Sequence, residues 1–274
     1  MPGLDAHRAR TGSSLAAAEA PPARVLLLGA SNLRLGLADA VAAARGAFSA
    51  RPVDVLAAVG FGRSYGVESG FLGRQLPAIA DCGLWRRLDE STPAELFALL
   101  TDVGNDLGYG YAPDLVSSWV RVCLERLARR QAKVVVTLVP AGSLRRLGSV
   151  RFRLLRLVLF PTSRLRLEEL VPRVEELNQR LVELAHRCGA VVVEPGAELY
   201  GVDRIHLRPR GRLALLEAVV AGWLGTACTL HRASAGDKLR STKLRPELSS
   251  FAGRQRRCPQ PCGVLARGVP VSLF

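Results

Sequence analysis

Four short polar clusters contain the residue types of this chain that can carry out chemistry, and each follows an apolar run that predicts a β-strand. The clusters occupy residues 29–32, 60–64, 102–106 and 203–206. In an open parallel sheet, ligands bind outside the carboxyl ends of the strands. We therefore expect the four clusters to meet at one edge of a sheet, although the chain separates them widely.

Together the clusters supply the groups that acyl transfer through a serine requires. The Ser31 hydroxyl, at a strand-to-helix turn, can attack a carbonyl carbon, and His206 can accept its proton near neutral pH. Asp203, three residues before the histidine, can hold the imidazole in the required tautomer. The backbone N–H groups of Ser31 and Gly62 and the amide of Asn105 would form an oxyanion hole.

The elements that must position these residues alternate along the chain, which predicts parallel β-α units. Strand-length apolar runs occupy residues 24–29, 53–59, 95–101, 133–139 and 190–194. Helical spacing of apolar residues predicts helices over residues 33–45, 114–130, 170–188 and 209–224. The sequence therefore predicts an α/β fold, a three-layer α/β/α sandwich with a five-stranded parallel sheet over residues 24–225.

The order Ser, Gly, Asn and His, with an Asp three residues before the His, resembles the SGNH (GDSL-like) hydrolases. By this resemblance Ser31 matches the family's nucleophile, Asn105 the Asn of its third block, and Asp203 with His206 its final D-x-x-H. The resemblance covers residues 24–225. It implies a flavodoxin-like parallel sheet and the cleavage of acyl esters, thioesters or acetyl groups on sugars, with no cofactor.

Three positions depart from the pattern of that family. Ala30 stands where the first block has Asp, and Val103 stands where the third block has Gly. The two glycines of the second block usually lie further apart, so Gly62 is the oxyanion residue we expect and Gly60 is the alternative. These departures keep open a catalytically inactive binding module of the same fold.

Each cluster taken alone also has an ordinary structural interpretation. A serine after a strand is commonly a helix N-cap, and Asn105 with Asp106 is typical of a turn. The conjunction of four clusters in order favours the hydrolase. Residues 29–36 fit neither G-x-G-x-x-G nor a phosphate-binding P-loop, and Cys258 and Cys262 lack a second pair of metal ligands, so no cofactor and no metal are predicted.

The net charge of +14 is concentrated in two places. Between Arg145 and Arg166 there are seven Arg and no acidic residue, and residues 226–274 carry nine Lys or Arg against two acids. The first segment predicts a lid or a membrane-surface contact, or else a partly buried helix whose Arg side chains reach water. Either segment could bind an anionic membrane surface or nucleic acid, a further alternative function.

The composition of both ends of the chain predicts disordered segments. Residues 1–23 read as a disordered leader and residues 226–274 as a disordered basic tail, so deletion of residues 230–274 should leave fold and activity intact. The first residues have no apolar signal-peptide core, and no run is long enough to span a membrane. The sequence therefore predicts a cytoplasmic protein with reduced cysteines.

Overall fold

The computed structural model of the protein describes residues 21–91, 94–230 and 232–274. The predicted leader therefore lies almost wholly outside the described residues, apart from its last three positions. One of those, Ala23, already belongs to the first strand, so the folded region begins one residue before the predicted boundary.

Most of the strands belong to one sheet, and the remainder form a small antiparallel sheet beside it. The strands are β1 (Ala23–Gly29), β2 (Val53–Val59), β3 (Ser69–Phe71), β4 (Arg74–Leu76), β5 (Glu95–Leu100), β6 (Lys133–Thr137), β7 (Val191–Val193), β8 (Leu248–Phe251), β9 (Arg254–Arg257), β10 (Gly263–Leu265) and β11 (Val269–Leu273). The large sheet has the order β10-β11-β2-β1-β5-β6-β7, and the small sheet has the order β3-β4-β8-β9.

The helices cover both faces of the large sheet. They are α1 (Ser31–Leu35), α2 (Leu37–Ala47), α3 (Gly83–Asp89), α4 (Gly104–Gly108), α5 (Pro113–Ala128), α6 (Ala141–Leu144), α7 (Ser149–Leu159), α8 (Leu167–Arg187), α9 (Pro209–Leu224) and α10 (Ala235–Lys243). Helices α5 and α8 pack on one face of the sheet, whereas α2 and α9 pack on the other, which gives two separate apolar cores. Among the described residues, none of these helices combines the length and the apolar character of a membrane-spanning segment.

The predicted three-layer α/β architecture is confirmed. The five predicted strands all form and run parallel, in the order β2-β1-β5-β6-β7. The apolar runs of β1, β2, β5 and β6 are almost wholly buried because helices cover both faces, whereas β7, at the edge of the sheet, is partly exposed. The helix predicted over residues 33–45 is divided at Gly36, which separates α1 from α2.

The prediction of a disordered tail over residues 226–274 is wrong, and so is the boundary at residue 225. Strand β11 adds to the predicted sheet as a parallel neighbour of β2, and β10 pairs antiparallel with β11, so the sheet has more than five strands. The Phe274 backbone N–H donates to the Ala57 carbonyl at 2.9 Å, and the Phe274 side chain is buried. The run from Val269 to Phe274 pairs with the backbone N–H and C=O groups along the edge of β2, which would otherwise be unpaired.

The order of the parallel strands decides where a site can form. The chain moves outward from β1 to β2 on one side and then crosses to β5 on the other side, so β1 and β5 are neighbours with diverging connections. Open sheets bind ligands at such a switch point, outside the carboxyl ends of the strands. Residues 29–32 and 101–106 lie at this position.

Candidate active site

Ser31, His206 and Asp203 form a continuous hydrogen-bonded chain at the carboxyl edge of the sheet. The Ser31 Oγ lies 3.0 Å from His206 Nε2, and His206 Nδ1 lies 2.7 Å from Asp203 Oδ2. With the Nδ1 proton donated to the carboxylate, Nε2 is left to accept the proton of the serine hydroxyl. All three side chains are partly exposed, so a substrate can reach them.

The Asp203 carboxylate is held by its own loop. One oxygen accepts the backbone N–H groups of Ile205 at 3.1 Å and His206 at 3.0 Å, and the other oxygen accepts the His206 ring. Burial acts to raise the pKa of Asp203, but these hydrogen bonds outweigh it and the pKa falls below the ordinary value for aspartate. Asp203 is therefore ionised at neutral pH and can stabilise a positive charge on the imidazole.

A second carboxylate, Asp102, organises the turn that carries the serine. Its oxygens accept the backbone N–H groups of Ala30 at 3.0 Å and Leu33 at 3.2 Å, and the amide of Asn32 at 2.9 Å. These bonds satisfy donors at the start of α1 that have no acceptor within the helix. Burial raises the pKa of Asp102 although these donors oppose it. Asp102 has a φ of 59°, the left-handed conformation, which is uncommon for a residue other than glycine.

The departure at Ala30 has a physical explanation. The Ala30 side chain is buried, and its N–H group already contacts a carboxylate, which comes from Asp102 at the end of the neighbouring strand. An aspartate at position 30 would place a second negative charge beside the first in a buried environment. In this chain Asp102, which follows β5, supplies the carboxylate at this place. An alanine at position 30 therefore avoids a second buried negative charge.

Asn32 joins the serine turn to the histidine loop. Its amide nitrogen donates to the Ile205 carbonyl at 3.1 Å, and its oxygen accepts the Leu207 N–H at 2.8 Å. These two bonds lie on either side of His206 in the chain. The distance between Ser31 and His206 therefore depends on Asn32.

Asn105 lies on the same pocket as Ser31 but also supports the second cluster. Its amide nitrogen donates to the Arg63 carbonyl at 3.0 Å, and its side chain also hydrogen-bonds Tyr109. Two further bonds attach the same loop, from Tyr109 Oη to the Gly62 carbonyl and from the Tyr65 N–H to Asp106 Oδ2 at 2.9 Å.

The two candidate glycines occupy different surroundings. Gly62 has a φ of +66°, and a Cβ there would lie 2.7 Å from the Gly70 carbonyl oxygen, so both its conformation and its space require glycine. A Cβ on Gly60 would clash with a methyl group of Leu76, and Gly60 faces a different groove, on the side of the small sheet. Neither glycine lines the pocket that contains Ser31.

Val103, the departure in the third block, adopts an ordinary helical conformation with a φ of −59°. The backbone at this position therefore does not require glycine. The close approach occurs one residue later, where a Cβ on Gly104 would lie 2.6 Å from a methyl group of Val139. The glycine that packs α4 against the end of β6 is therefore Gly104.

An apolar pocket extends from Ser31 and Asn105 toward α7 and α8. Its lining residues come from the ends of β1, β5 and β6, from α4 and α8, from the insert that follows β6, and from residues 200–205. They include Thr101, Val103, Gly108, Thr137, Leu138, Val139, Leu144, Phe152, Phe160, Leu170, Val174, Tyr200 and Ile205. A pocket with an apolar wall and a few polar groups at one end is typical of a small-molecule site.

The arginine-rich insert that follows β6 forms part of this pocket. It folds as α6 and α7, and its Phe152 is buried and lines the pocket, as does Phe160 beyond the end of α7. The Phe160 ring packs edge-on against Tyr109 at 5.1 Å between centroids. The inner side of the insert is thus a wall of the candidate site.

Sequence reasoning identified the serine, histidine and aspartate that the structure brings together, and it missed the residues that hold them. It assigned no role to Asn32 or Asp102, although both lie in clusters that it identified. Their partners come from other clusters, so nothing in the local pattern indicates them. Within the described residues, no group of three or more His, Cys, Asp or Glu side chains is placed to bind a metal ion.

The fold and the site define an α/β protein with a serine, a histidine and a carboxylate in hydrogen-bonded sequence at the switch point of its sheet. The structure is similar to the psychrotrophic esterase EstA of Pseudoalteromonas sp., with 12% identity, a TM-score of 0.44, and coverage of 74% of this chain and 96% of that chain. It is also similar to the aryl esterase of M. smegmatis, with 15% identity, a TM-score of 0.49, and coverage of 72% and 97%.

A third similar structure is AlinE4, an esterase of the SGNH-hydrolase family, with 18% identity, a TM-score of 0.39, and coverage of 72% of this chain and 92% of that chain. No protein-family model matches the chain, and no curated protein matches it. Because these identities and TM-scores are low, we infer the activity from the geometry of the site.

Proposed function

We propose that this protein is a serine hydrolase of the SGNH type that cleaves a carboxylic ester through an acyl-enzyme on Ser31. The observation that carries the proposal is the hydrogen-bonded chain from Ser31 through His206 to Asp203, with distances of 3.0 and 2.7 Å, beside an apolar pocket. A nucleophile within hydrogen-bond reach of a base, which a third group orients, is the arrangement that activates a serine.

In this mechanism the Ser31 oxygen attacks the ester carbonyl while its proton moves to His206 Nε2. The tetrahedral intermediate collapses, the bond to the alcohol oxygen breaks, and His206 returns the proton to that oxygen. A water molecule then attacks the acyl-enzyme with the same histidine as base, which releases the carboxylic acid. Asp203 keeps the imidazole oriented and stabilises its charged form in both halves of the reaction.

The oxyanion of the intermediate is stabilised by the Ser31 backbone N–H, the side-chain amide of Asn105 and the Gly62 N–H. The first two groups line the same pocket, and the start of α1 leaves the Ser31 N–H without an acceptor inside the helix. Gly62 adjoins them through Arg63, whose carbonyl accepts the Asn105 amide. The apolar wall of the pocket holds the acyl part of the ester.

The alternative is a protein of the same fold that binds a ligand in this pocket without turnover. The two differ in the reactivity of the serine, since only an activated serine reacts with an organophosphorus probe. The cytoplasmic location and the absence of a cofactor stay predictions from the sequence.

The experiment that tests the proposal is hydrolysis of p-nitrophenyl esters from acetate to palmitate, with labelling by a fluorophosphonate probe. Wild type should hydrolyse at least one ester, and Ser31→Ala should lower kcat/KM by several hundredfold or more. Ser118→Ala, on the surface helix α5, is the matched control and should retain full activity. Absence of both turnover and labelling would favour the binding module.

A further inference from the structure

Helix α7 presents an apolar stripe to solvent on the side opposite the pocket. Val150, Leu154, Leu157 and Val158 are between 57 and 64% exposed. With roughly 100° between successive residues of an α-helix, these four side chains fall within an arc of about 100°. Single exposed apolar residues are ordinary, but four on one short helix face form a contiguous patch. We call these four residues the α7 stripe.

Arginines border the α7 stripe on both sides. Arg151 and Arg153 project at roughly 20–40° beyond its two edges on the helical wheel. Arg146 and Arg164, just before and after the helix, are also exposed. Residues 145–166 contain seven arginines and no acidic residue. An apolar face with basic borders is the geometry of helices that lie in the interface of an anionic bilayer.

The other face of the same helix belongs to the candidate active site. Phe152 is buried and lines the pocket together with Ser31, and Phe160 follows the end of the helix. Arg151 donates to the Val202 carbonyl at 3.1 Å, which places the start of α7 beside the loop of Asp203. Helix α7 therefore lies between the pocket on its inner side and the exposed α7 stripe on its outer side.

We propose that the α7 stripe binds the surface of an anionic lipid bilayer, and that the ester cleaved at Ser31 is a lipid ester taken from that surface. The second half deepens the proposed function by naming its substrate class, and it rests on that function, whereas the binding half does not. The apolar side chains enter the headgroup boundary and the bordering arginines contact anionic headgroups. An acyl chain leaving the bilayer then has a short path to the pocket behind Phe152.

The charge pattern favours a bilayer over the other occupants. A second copy of the chain, related by a two-fold axis, would bring the same arginine-rich borders into contact with one another. A nucleic acid would pair with the arginines but leave the four apolar side chains without a partner, since the stripe contains no aromatic residue for base stacking. Only an anionic surface with an apolar interior satisfies both parts of the helix face.

The test measures co-sedimentation of the full chain with vesicles of phosphatidylcholine containing about one third phosphatidylglycerol, and with vesicles of phosphatidylcholine alone. The variants are Leu154→Gln with Leu157→Gln, which removes the apolar contact, and Arg146→Gln with Arg153→Gln, which removes charge. The matched controls are Leu239→Gln, which is 62% exposed on α10, and Arg254→Gln with Arg256→Gln on the exposed strand β9. Because every changed side chain is exposed, all variants should keep the wild-type melting temperature.

Wild type and Ser31→Ala should bind the anionic vesicles and not the neutral ones, and salt should weaken the binding. Each α7 variant should bind about tenfold more weakly or worse, and the controls should bind like wild type. The leucine variant should hydrolyse p-nitrophenyl palmitate held in the vesicles more slowly while p-nitrophenyl acetate is cleaved at the wild-type rate.

Three results would overturn this proposal. The first is wild type that binds neither vesicle or both equally. The second is a loss of binding in the controls as large as in the α7 variants, which would assign the contact to the basic C-terminal segment. The third is a wild-type dimer in sedimentation velocity that the leucine variant converts to monomers. Tight DNA binding without vesicle binding would be a case of the first result. If the protein bound vesicles but hydrolysed no ester, the proposed function would be wrong, but the assignment of the α7 stripe to a lipid surface would stand.

Discussion

The side-chain oxygen of Asn32 accepts a hydrogen bond of 2.8 Å from the backbone N–H of Leu207, 175 residues further along the chain. The same side chain donates to the Ile205 carbonyl and to Asp102. One amide therefore connects the turn of the serine, the loop of the histidine and the end of β5. The distance and the orientation between Ser31 and His206 therefore depend on Asn32.

Replacement of Asn32 by alanine should lower kcat by about 10- to 100-fold and leave KM nearly unchanged, because small displacements of reacting groups reduce the rate without weakening ground-state binding. Steady-state kinetics on a short ester would measure both. Asn178→Ala is a matched control, since Asn178 also makes two hydrogen bonds to backbone, both to Val139 at 2.9 Å. Its unfolding free energy should fall comparably, but its kcat should not. Equal losses of kcat would show that Asn32 acts only through stability.

Replacement of Ala30 by aspartate, the residue usual at this position in the SGNH hydrolases, should lower activity rather than raise it. The new carboxylate would be buried next to Asp102, whose Oδ2 lies 3.0 Å from the Ala30 nitrogen. We expect the free energy of unfolding to fall by about 2 kcal/mol or more. In a double-mutant cycle, Asp102→Asn should offset part of that loss. An Ala30→Asp variant as stable as wild type would contradict the repulsion.

Asp106 should make the protein less stable as the pH rises from about 4 to about 7. Burial raises the pKa of Asp106 to about 6, although Ser64 and the Tyr65 N–H partly oppose the shift. One of its oxygens has no partner among the described residues. The folded state holds this proton more tightly than the unfolded state, so ionisation at higher pH costs about 3 kcal/mol of stability.

The measurement is urea unfolding of wild type and Asp106→Asn between pH 4 and 7.5, a range of about 3.5 units that spans the shift. The variant has no carboxyl to ionise, so the difference between the two unfolding free energies should change across this range. Parallel curves would mean that Asp106 stays ionised throughout.

The C-terminal segment should be required for folding, contrary to the expectation from sequence. Phe274 is buried, and its backbone oxygen accepts a hydrogen bond from the fully buried guanidinium of Arg63. Burial lowers the pKa of Arg63, and because the buried guanidinium has lost its contact with water it needs such acceptors. Phe274→Ala should lower the free energy of unfolding by about 3–5 kcal/mol, and deletion of residues 263–274 should prevent stable folding.

Thermal unfolding and protease resistance would measure the effect of these changes. Arg254→Gln with Arg256→Gln serves as the control, because it removes charge from the same segment at exposed positions and should leave the melting temperature unchanged. A cooperatively folded protein after the deletion would show that residues 263–274 are not required for folding.

The five parallel strands from β1 to β7 could be predicted from sequence because each is a local apolar run, and helices bury all of them except the partly exposed edge strand β7. The run from Val269 to Phe274 is equally apolar at alternating positions, but it follows a segment rich in Arg, Ser, Pro and Gly. Its status as a strand depends on pairing with β2, more than 200 residues earlier in the chain. Local pattern cannot reveal such a pairing, because the partner edge exists only after the sheet has formed.

The sequence by itself determined the alternation of strands and helices and the identity of the serine, histidine and aspartate that come together, because periodicity and residue type are local properties. Only the tertiary structure decided which groups hold them: Asp102 at the Ala30 nitrogen, Asn32 between two loops, and the glycine position in the third block. The contact of Asp102 follows from the switch of strand order between β1 and β5, which brings together the ends of strands about 70 residues apart. A hydrogen bond at that distance in sequence leaves no periodic trace in the chain, so it becomes visible only when the strands are packed.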